Sequence, residues 1–276
     1  MPELNNEVQK LRMQEEVLTG RPVRTFEIID CHGHIGYWHH FHIPYRNAED
    51  VVRLMDLCGI SAIVISAHAA IGPDYKLGNK QVLDAMSRFP DRIYGYCTVN
   101  PHASREELLD ELKRCFDAGM VAIKLHPSVH RARADSEGYS PAWEFAHEHG
   151  LCVLSHTAVS DPYCSVGMFD QIAGNYSNAK VLVGHCGFGY EGARQSCELA
   201  RKHSNVYLDV TSSTFYTGLL ERVVEGAGAD RVLFGTDCPF MDCRPQVGRF
   251  AFSKLSDEEL RLSLAENARR LFGIRA

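Results

Sequence analysis

Two histidines one residue apart close an apolar run, Ile28-Ile29-Asp30-Cys31-His32-Gly33-His34. If the run is a β-strand, its side chains alternate, and Asp30, His32 and His34 point to one side. Two imidazoles on one face can grip a divalent ion, and imidazole suits zinc, copper, iron and nickel. The same residues also read as two surface histidines beside a glycine turn, and this stretch alone leaves both readings open. Further along, other apolar runs end in residues of the same chemistry: Lys124 and His126, His156, His185, Asp209 and Asp237. Brought to one mouth, they supply three or four imidazoles and a carboxylate. That is the donor set of a catalytic zinc site that keeps one position open for water.

What must position them is a repeating alternation of strand and helix. Strands are expected at 26–30, 60–66, 93–99, 120–126, 151–156, 180–185, 206–211 and 231–237. Most are continuous apolar runs, as expected of parallel strands buried on both faces. Between them the period lengthens to that of helices. Asn47 caps a helix with Val51, Leu54, Met55 and Cys58 on one face, and Ser104 with Glu107 makes a capping box. Further helices are expected at 79–88, from 140, and at 166–176, 190–203 and 216–227; a second capping box, Ser256 with Glu259, opens the closing pair, 256–265 and 267–272. Eight strands spaced by roughly 30 residues predict a (β/α)8 TIM barrel, whose chemistry gathers at the C-terminal strand ends. An open doubly wound sheet is the alternative. An amphipathic helix over 3–18, with Leu4, Val8, Leu11 and Leu18 inward, makes residues 1–25 an extension and 26–276 one barrel domain.

Of the 276 residues, 45% are apolar and 23% charged, with a net charge of -6. No basic block favours nucleic acid or an anionic membrane, so the expected partner is a small-molecule substrate, with a homo-oligomer left open. The ten cysteines are scattered, without a CxxC pair, and read as reduced, buried thiols of a cytoplasmic protein. Gly187-Phe-Gly-Tyr-Glu-Gly192 fits a dinucleotide fingerprint, with Asp209 at the end of the next strand. It lies in the sixth unit and directly after His185, so it reads better as a tight turn near a substrate.

The strand-end residues and their surroundings resemble the amidohydrolase superfamily, and more narrowly its amidohydrolase-related branch. The resemblance rests on Asp30-x-His32-x-His34, Ala122-Ile-Lys-Leu-His-Pro127, Val183-Gly-His-Cys-Gly187, Leu233-Phe-Gly-Thr-Asp-Cys-Pro239 and Glu266-Asn-Ala-Arg-Arg-Leu-Phe272. It implies that His32, His34, His156 and Asp237 ligate a divalent metal, zinc first and manganese second. His185 would be an acid/base group or a ligand of a second metal. Lys124 stands where binuclear relatives carry a carboxylated bridging lysine, but His126 replaces their tyrosine, so an unmodified Lys124 is expected. Asp30 is expected to hold a ligand histidine, Asp209 to do the same or to cap a loop, and His39, His40 and His42 to be solvated. Trp38, Arg131 and Arg133 lie on loops able to reach the mouth. The implied reaction is hydrolysis of a small carboxylated or cyclic ester or amide, with Asp237 as general base. The alternative is non-oxidative decarboxylation of a small unsaturated or aromatic acid. Hydrolysis is placed first because, beyond the long first loop over 35–46, few long insertions exist to build an aromatic pocket.

Overall fold

A segment such as Ala62-Ile-Val-Ile-Ser-Ala67 offers no polar face, so it is stable only where both faces are covered. The structure, a computed structural model describing residues 8–212, 214 and 216–274, covers them in a barrel. Eight parallel strands follow one another in chain order. They are β1 (Ile29–Ile35), β2 (Ala62–Ala67), β3 (Ile93–Thr98), β4 (Ala122–Leu125), β5 (Cys152–Ser155), β6 (Lys180–Val183), β7 (Val206–Asp209) and β8 (Val232–Leu233). The sheet closes on itself because β1 also bonds to the segment that continues β8. Cys31 N–H donates to Phe234 O at 2.9 Å, Asp237 N–H to His32 O at 2.7 Å, and His34 N–H to Cys238 O at 2.6 Å.

Alternation along the strands divides the core into two layers. Ile29, Cys31, Val64, Tyr96, Leu154, Leu182 and Leu233 fill the barrel. Ile63, Ile65, Ile123, Val153, Val181 and Leu208 face the surrounding helices. Inside, the Tyr96 hydroxyl donates to Cys31 O at 2.5 Å and ties β3 to β1 below the histidines. Both capping boxes form, on Ser104 and on Ser256, and Asn47 accepts from Asp50 N–H as expected. Each such cap is worth about 1 kcal/mol. All ten cysteines are unpaired and buried. Among the described residues no helix is long and apolar enough to cross a membrane.

Three expectations need correction. The N-terminal helix, Val8–Leu18, turns its expected stripe outward: Val8, Leu11 and Leu18 are exposed, and the buried residue is Met13. Leu4 lies outside the described residues. The helix instead packs through Met13 and Val17 and is tied down by Lys10 Nζ to Leu255 O and Gln14 Nε2 to Ala251 O. Second, Cys243–Ala251 forms a helix, across Pro245 and Gly248, where none was expected. The proline falls in the first turn, where an N–H has no helical partner to lose. Third, β8 is only two residues long, and Phe234 to Asp237 continue without strand pairing to β7 beyond Val210 N–H to Leu233 O.

Candidate active site

Both histidines of the opening motif lie inside β1, which runs five residues beyond the expected end at Asp30. Its register with β2 slips between Asp30 and Gly33, so simple alternation fails there. Gly33 faces the helix side, where a Cβ would stand 2.4 Å from Ile63 Cδ1. The bulge re-aims the neighbours, and Asp30 does not share a role with His32 and His34. Asp30 accepts from His32 N–H at 2.9 Å, from Thr236 N–H at 3.0 Å and from the Thr236 hydroxyl. It pins the loop after β8 instead of a histidine ring. Burial raises its carboxyl to about 7 against those hydrogen bonds.

The histidine is held by Asp209 at the end of β7. Asp209 Oδ2 lies 2.6 Å from His32 Nδ1, and its carboxylate also takes the N–H of Thr211 at 2.9 Å and of His185 at 3.3 Å. Burial works against its charge, but the His32 ring and these hydrogen bonds hold it down to about 2. The group fits only because position 235 is glycine. A Cβ there would stand 2.1 Å from Thr211 Oγ1, 2.5 Å from Asp209 Oδ1 and 3.0 Å from His32 Cβ.

A partner that can only accept fixes a histidine's tautomer. A carboxylate only accepts, so His32 carries its proton on Nδ1 and presents a lone pair at Nε2. His185 Nδ1 lies 2.9 Å from Thr211 O, a carbonyl, so its Nε2 is likewise free. His34 Nδ1 bonds the Ser66 hydroxyl at 3.0 Å, leaving Nε2 to face Asp237 Oδ1 at 3.0 Å. His32 Nε2 is 3.6 Å from the same oxygen. Burial pushes His32 down to about 3, and burial lowers His34 too. Burial opposes the charge of Asp237, yet the His34 hydrogen bond and the neighbouring histidines keep its carboxyl well below the ordinary value. His34 Nε2 and Asp237 Oδ1 are thus close enough to share a proton or a cation, with the His32 Nε2 lone pair beside them. His32, His34 and Asp237 place ligand atoms within 4.8 Å of one another, which fits a divalent cation. His32, His185 and Asp209 meet the same spacing, but there Asp209 is spent on His32 Nδ1.

Lys124 enters from β4. Its Nζ donates to His32 Nε2 at 2.7 Å, and burial lowers it to about 8. A cation on His32 Nε2 and this hydrogen bond exclude one another. His156 stands outside the tight trio. Its ring stacks on His126 at 4.2 Å and 11°, and lies 4.7 Å from His185. Burial pushes both His126 and His156 well below the ordinary histidine value. Positive φ marks Asp237 (61°) and His185 (60°), a conformation that non-glycine residues adopt at a cost and that gathers at functional sites.

The lip over β1, β2 and β8 is aromatic. Phe240 lies 5.3 Å from His34 and 4.2 Å from His68, while Trp38 lies 5.3 Å from Phe240 and 5.5 Å from His68. Phe41 adds a contact to Phe240 at 5.4 Å. Sequence reasoning assigned no role to His68, Phe240, Ser66 or Thr236. His68 follows a strand end, the one signal that marked the other histidines. Trp38 does reach the mouth. Arg133 instead pairs with Asp135 at 2.8 Å on the surface, and Arg131 is exposed. His39, His40 and His42 are exposed as expected. The glycines of 187–192 make a tight turn, in which a Cβ on Gly192 would meet Gly187 C at 2.3 Å.

An amidohydrolase family model matches residues 29–274. No curated protein matches the chain. Among solved structures, an uncharacterized TIM-barrel protein from Bordetella bronchiseptica is similar at 18% identity and a TM-score of 0.73, spanning 90% of this chain and 99% of its own. The 5-carboxyvanillate decarboxylase of Sphingomonas paucimobilis is similar at 14% identity and a TM-score of 0.70, spanning 91% and 100%. A dihydroxybenzoic acid decarboxylase from Polaromonas, solved with manganese and the inhibitor 2-nitroresorcinol, is similar at 20% identity and a TM-score of 0.69, spanning 91% and 98%.

Proposed function

The chain belongs to the amidohydrolase family, and from that premise we propose that it is a metal-dependent, non-oxidative decarboxylase of small aromatic or unsaturated carboxylic acids. The observation that carries this reading is the aromatic lip of Trp38, Phe240 and His68 set directly against the His32, His34 and Asp237 donors. It answers the reason for placing hydrolysis first, because the long loop after β1, the turn after β2 and the loop after β8 together supply the rings. Flat rings with centroids 4.5–7 Å apart suit a planar substrate. The similarity to two aromatic-acid decarboxylases supports the same choice.

His32, His34 and Asp237 would hold the cation, with His156 the further donor on the β5 side. A bound divalent cation, manganese before zinc, would supply positive charge to fix and neutralise the substrate carboxylate. The reaction balances as aryl carboxylate plus one proton giving arene plus carbon dioxide. The chain must therefore deliver a proton to the ring carbon and keep water out. His185 suits delivery: Thr211 O fixes Nδ1–H, so Nε2 is the atom that takes up and hands on the proton. Asp237, 17% exposed at its side chain, lies open to the mouth and stays ionised beside it. Lys124 would release His32 Nε2 when the site fills, and stays unmodified in this reading.

The test is a screen of manganese- and zinc-loaded protein against hydroxybenzoates, muconic acids, lactones and amides. Release of carbon dioxide with no ester or amide turnover is the expected result. Lactone or amide hydrolysis without carbon dioxide would return the function to the hydrolytic alternative, with Asp237 as the base that activates water.

A further inference from the structure

His68 opens the short helical turn His68–Ile71 after β2, and 1% of it is exposed. Its Nδ1 lies 2.9 Å from Gly36 O. A carbonyl only accepts, so the proton sits on Nδ1 and Nε2 is left a bare acceptor. Nε2 is buried and has no hydrogen-bond partner. A buried polar atom without a partner costs about 1–3 kcal/mol, so one that persists calls for an explanation.

Its surroundings supply one. The His68 ring stacks on candidate ligand His34 at 5.0 Å and 25°, and meets Phe240 at 4.2 Å and Trp38 at 5.5 Å with the rings tilted by 51° and 58°. The rings come from three separate segments of the lip. The loop that carries Trp38 is itself pinned. Gly36 N–H donates to Arg46 O at 2.7 Å, and Arg46 bonds Ile43 O and the Tyr37 hydroxyl and lies over the Tyr37 ring. The Gly36 carbonyl that orients His68 is therefore held by the loop that closes over it. Aromatic walls with one bare acceptor among them match a flat ring bearing an O–H.

We propose that His68 Nε2 receives the ring hydroxyl of a hydroxylated aryl acid whose carboxylate is held at His32, His34 and Asp237. This rests on the aryl-acid reading above and adds to it a selector for hydroxylated over plain rings. A site built to bond a hydroxyl discriminates against the analogue lacking it, because the acceptor is then left unpaired. His68 acts on binding and positioning; the proton transfer stays with His185.

The experiment titrates manganese-loaded protein with benzoate and with 2-, 3- and 4-hydroxybenzoate by calorimetry. In the unmodified protein at least one hydroxybenzoate binds roughly five- to fiftyfold tighter than benzoate. His68→Phe keeps a ring in the stack without the acceptor. It brings that ratio to within about twofold of unity while the benzoate Kd moves less than about threefold. His68→Gln, whose amide oxygen reaches the same place, keeps a preference. His68→Leu replaces His68→Phe if circular dichroism shows the latter unfolded, with the same expectation. A merely structural role would shift all four ligands together. Benzoate binding with no hydroxyl preference, or a preference that survives in His68→Phe, overturns the role of His68 and leaves the aryl-acid reading standing. No binding of any of the four overturns both.

Discussion

From β7 round to β1, the polar side chains of the barrel mouth are each held by a hydrogen-bond partner. Asp209 grips His32 Nδ1, Ser66 bonds His34 Nδ1, and Asp30 ties down the Thr236 that precedes Asp237. From β4 to β5 the imidazoles of His126 and His156 are held by each other's faces, and His126 Nδ1 is buried without a partner. The first wall is preorganised: its donor atoms already converge, and the reordering that binding needs is the withdrawal of Lys124 Nζ from His32 Nε2. The second wall can adapt to what enters. A site with one fixed and one yielding side can hold a cation firmly while the other face shapes itself around a substrate.

The two walls therefore respond differently to change. The largest effect is expected from His34→Ala, which removes a donor from the fixed trio. Manganese affinity, read by equilibrium dialysis, should fall by more than roughly 100-fold, beyond the 10–100-fold typical of a lost supporting contact. Activity should fall with it. An unchanged affinity would place the cation elsewhere.

Asp209→Asn sharpens the point, because it leaves every proposed ligand in place. The amide can no longer demand a proton on His32 Nδ1, so the lone pair at Nε2 is no longer guaranteed. A loss of about 10–100-fold in manganese affinity, with a native circular-dichroism spectrum, is the expected result. Wild-type affinity would mean that His32 is oriented by its strand alone.

The smallest effect concerns the yielding wall, read as stability against pH. Burial holds His126 and His156 far below their ordinary value of 6.5. Below that value the unfolded chain takes up two protons that the folded chain refuses, so their contribution is full above about pH 6.5 and declines as the pH falls. Each proton is worth roughly 1.4 kcal/mol per pH unit in the slope. In metal-free protein, His126→Asn with His156→Asn should flatten the fall below pH 6.5 by about two protons' worth. Urea midpoints collected from pH 7.5 to 5 measure it. A slope identical to wild type would show that the two rings are already solvated.

Much of this could be read in the chain, and the contrast between the walls explains what could not. The barrel was legible because its strands are unbroken apolar runs, and the mouth because histidines and an aspartate recur at their ends. The opening motif was legible as chemistry but not as geometry. Alternation placed Asp30 beside His32, whereas the bulge at Gly33 hands the ring to Asp209, 177 residues away. No local pattern carries so distant a pairing. The glycine at 235 was visible as part of a motif, but the crowding that requires it appears only when β1, β7 and β8 meet. Of the aromatic lip only Trp38, on the long loop after β1, was legible; His68 and Phe240 follow other strands, and no local pattern pairs them with it. The outward stripe of the first helix failed because period alone cannot say which face finds a partner.

The account depends most on the claim that the β1 and β8 side forms the cation site. Anomalous scattering from crystals soaked in manganese tests it directly. The account predicts a peak at bonding distance from His32 Nε2, His34 Nε2 and Asp237 Oδ1, with Lys124 Nζ withdrawn from His32. A peak seated between His126 and His156 with the trio bare, or no peak in the mouth at all, would contradict it.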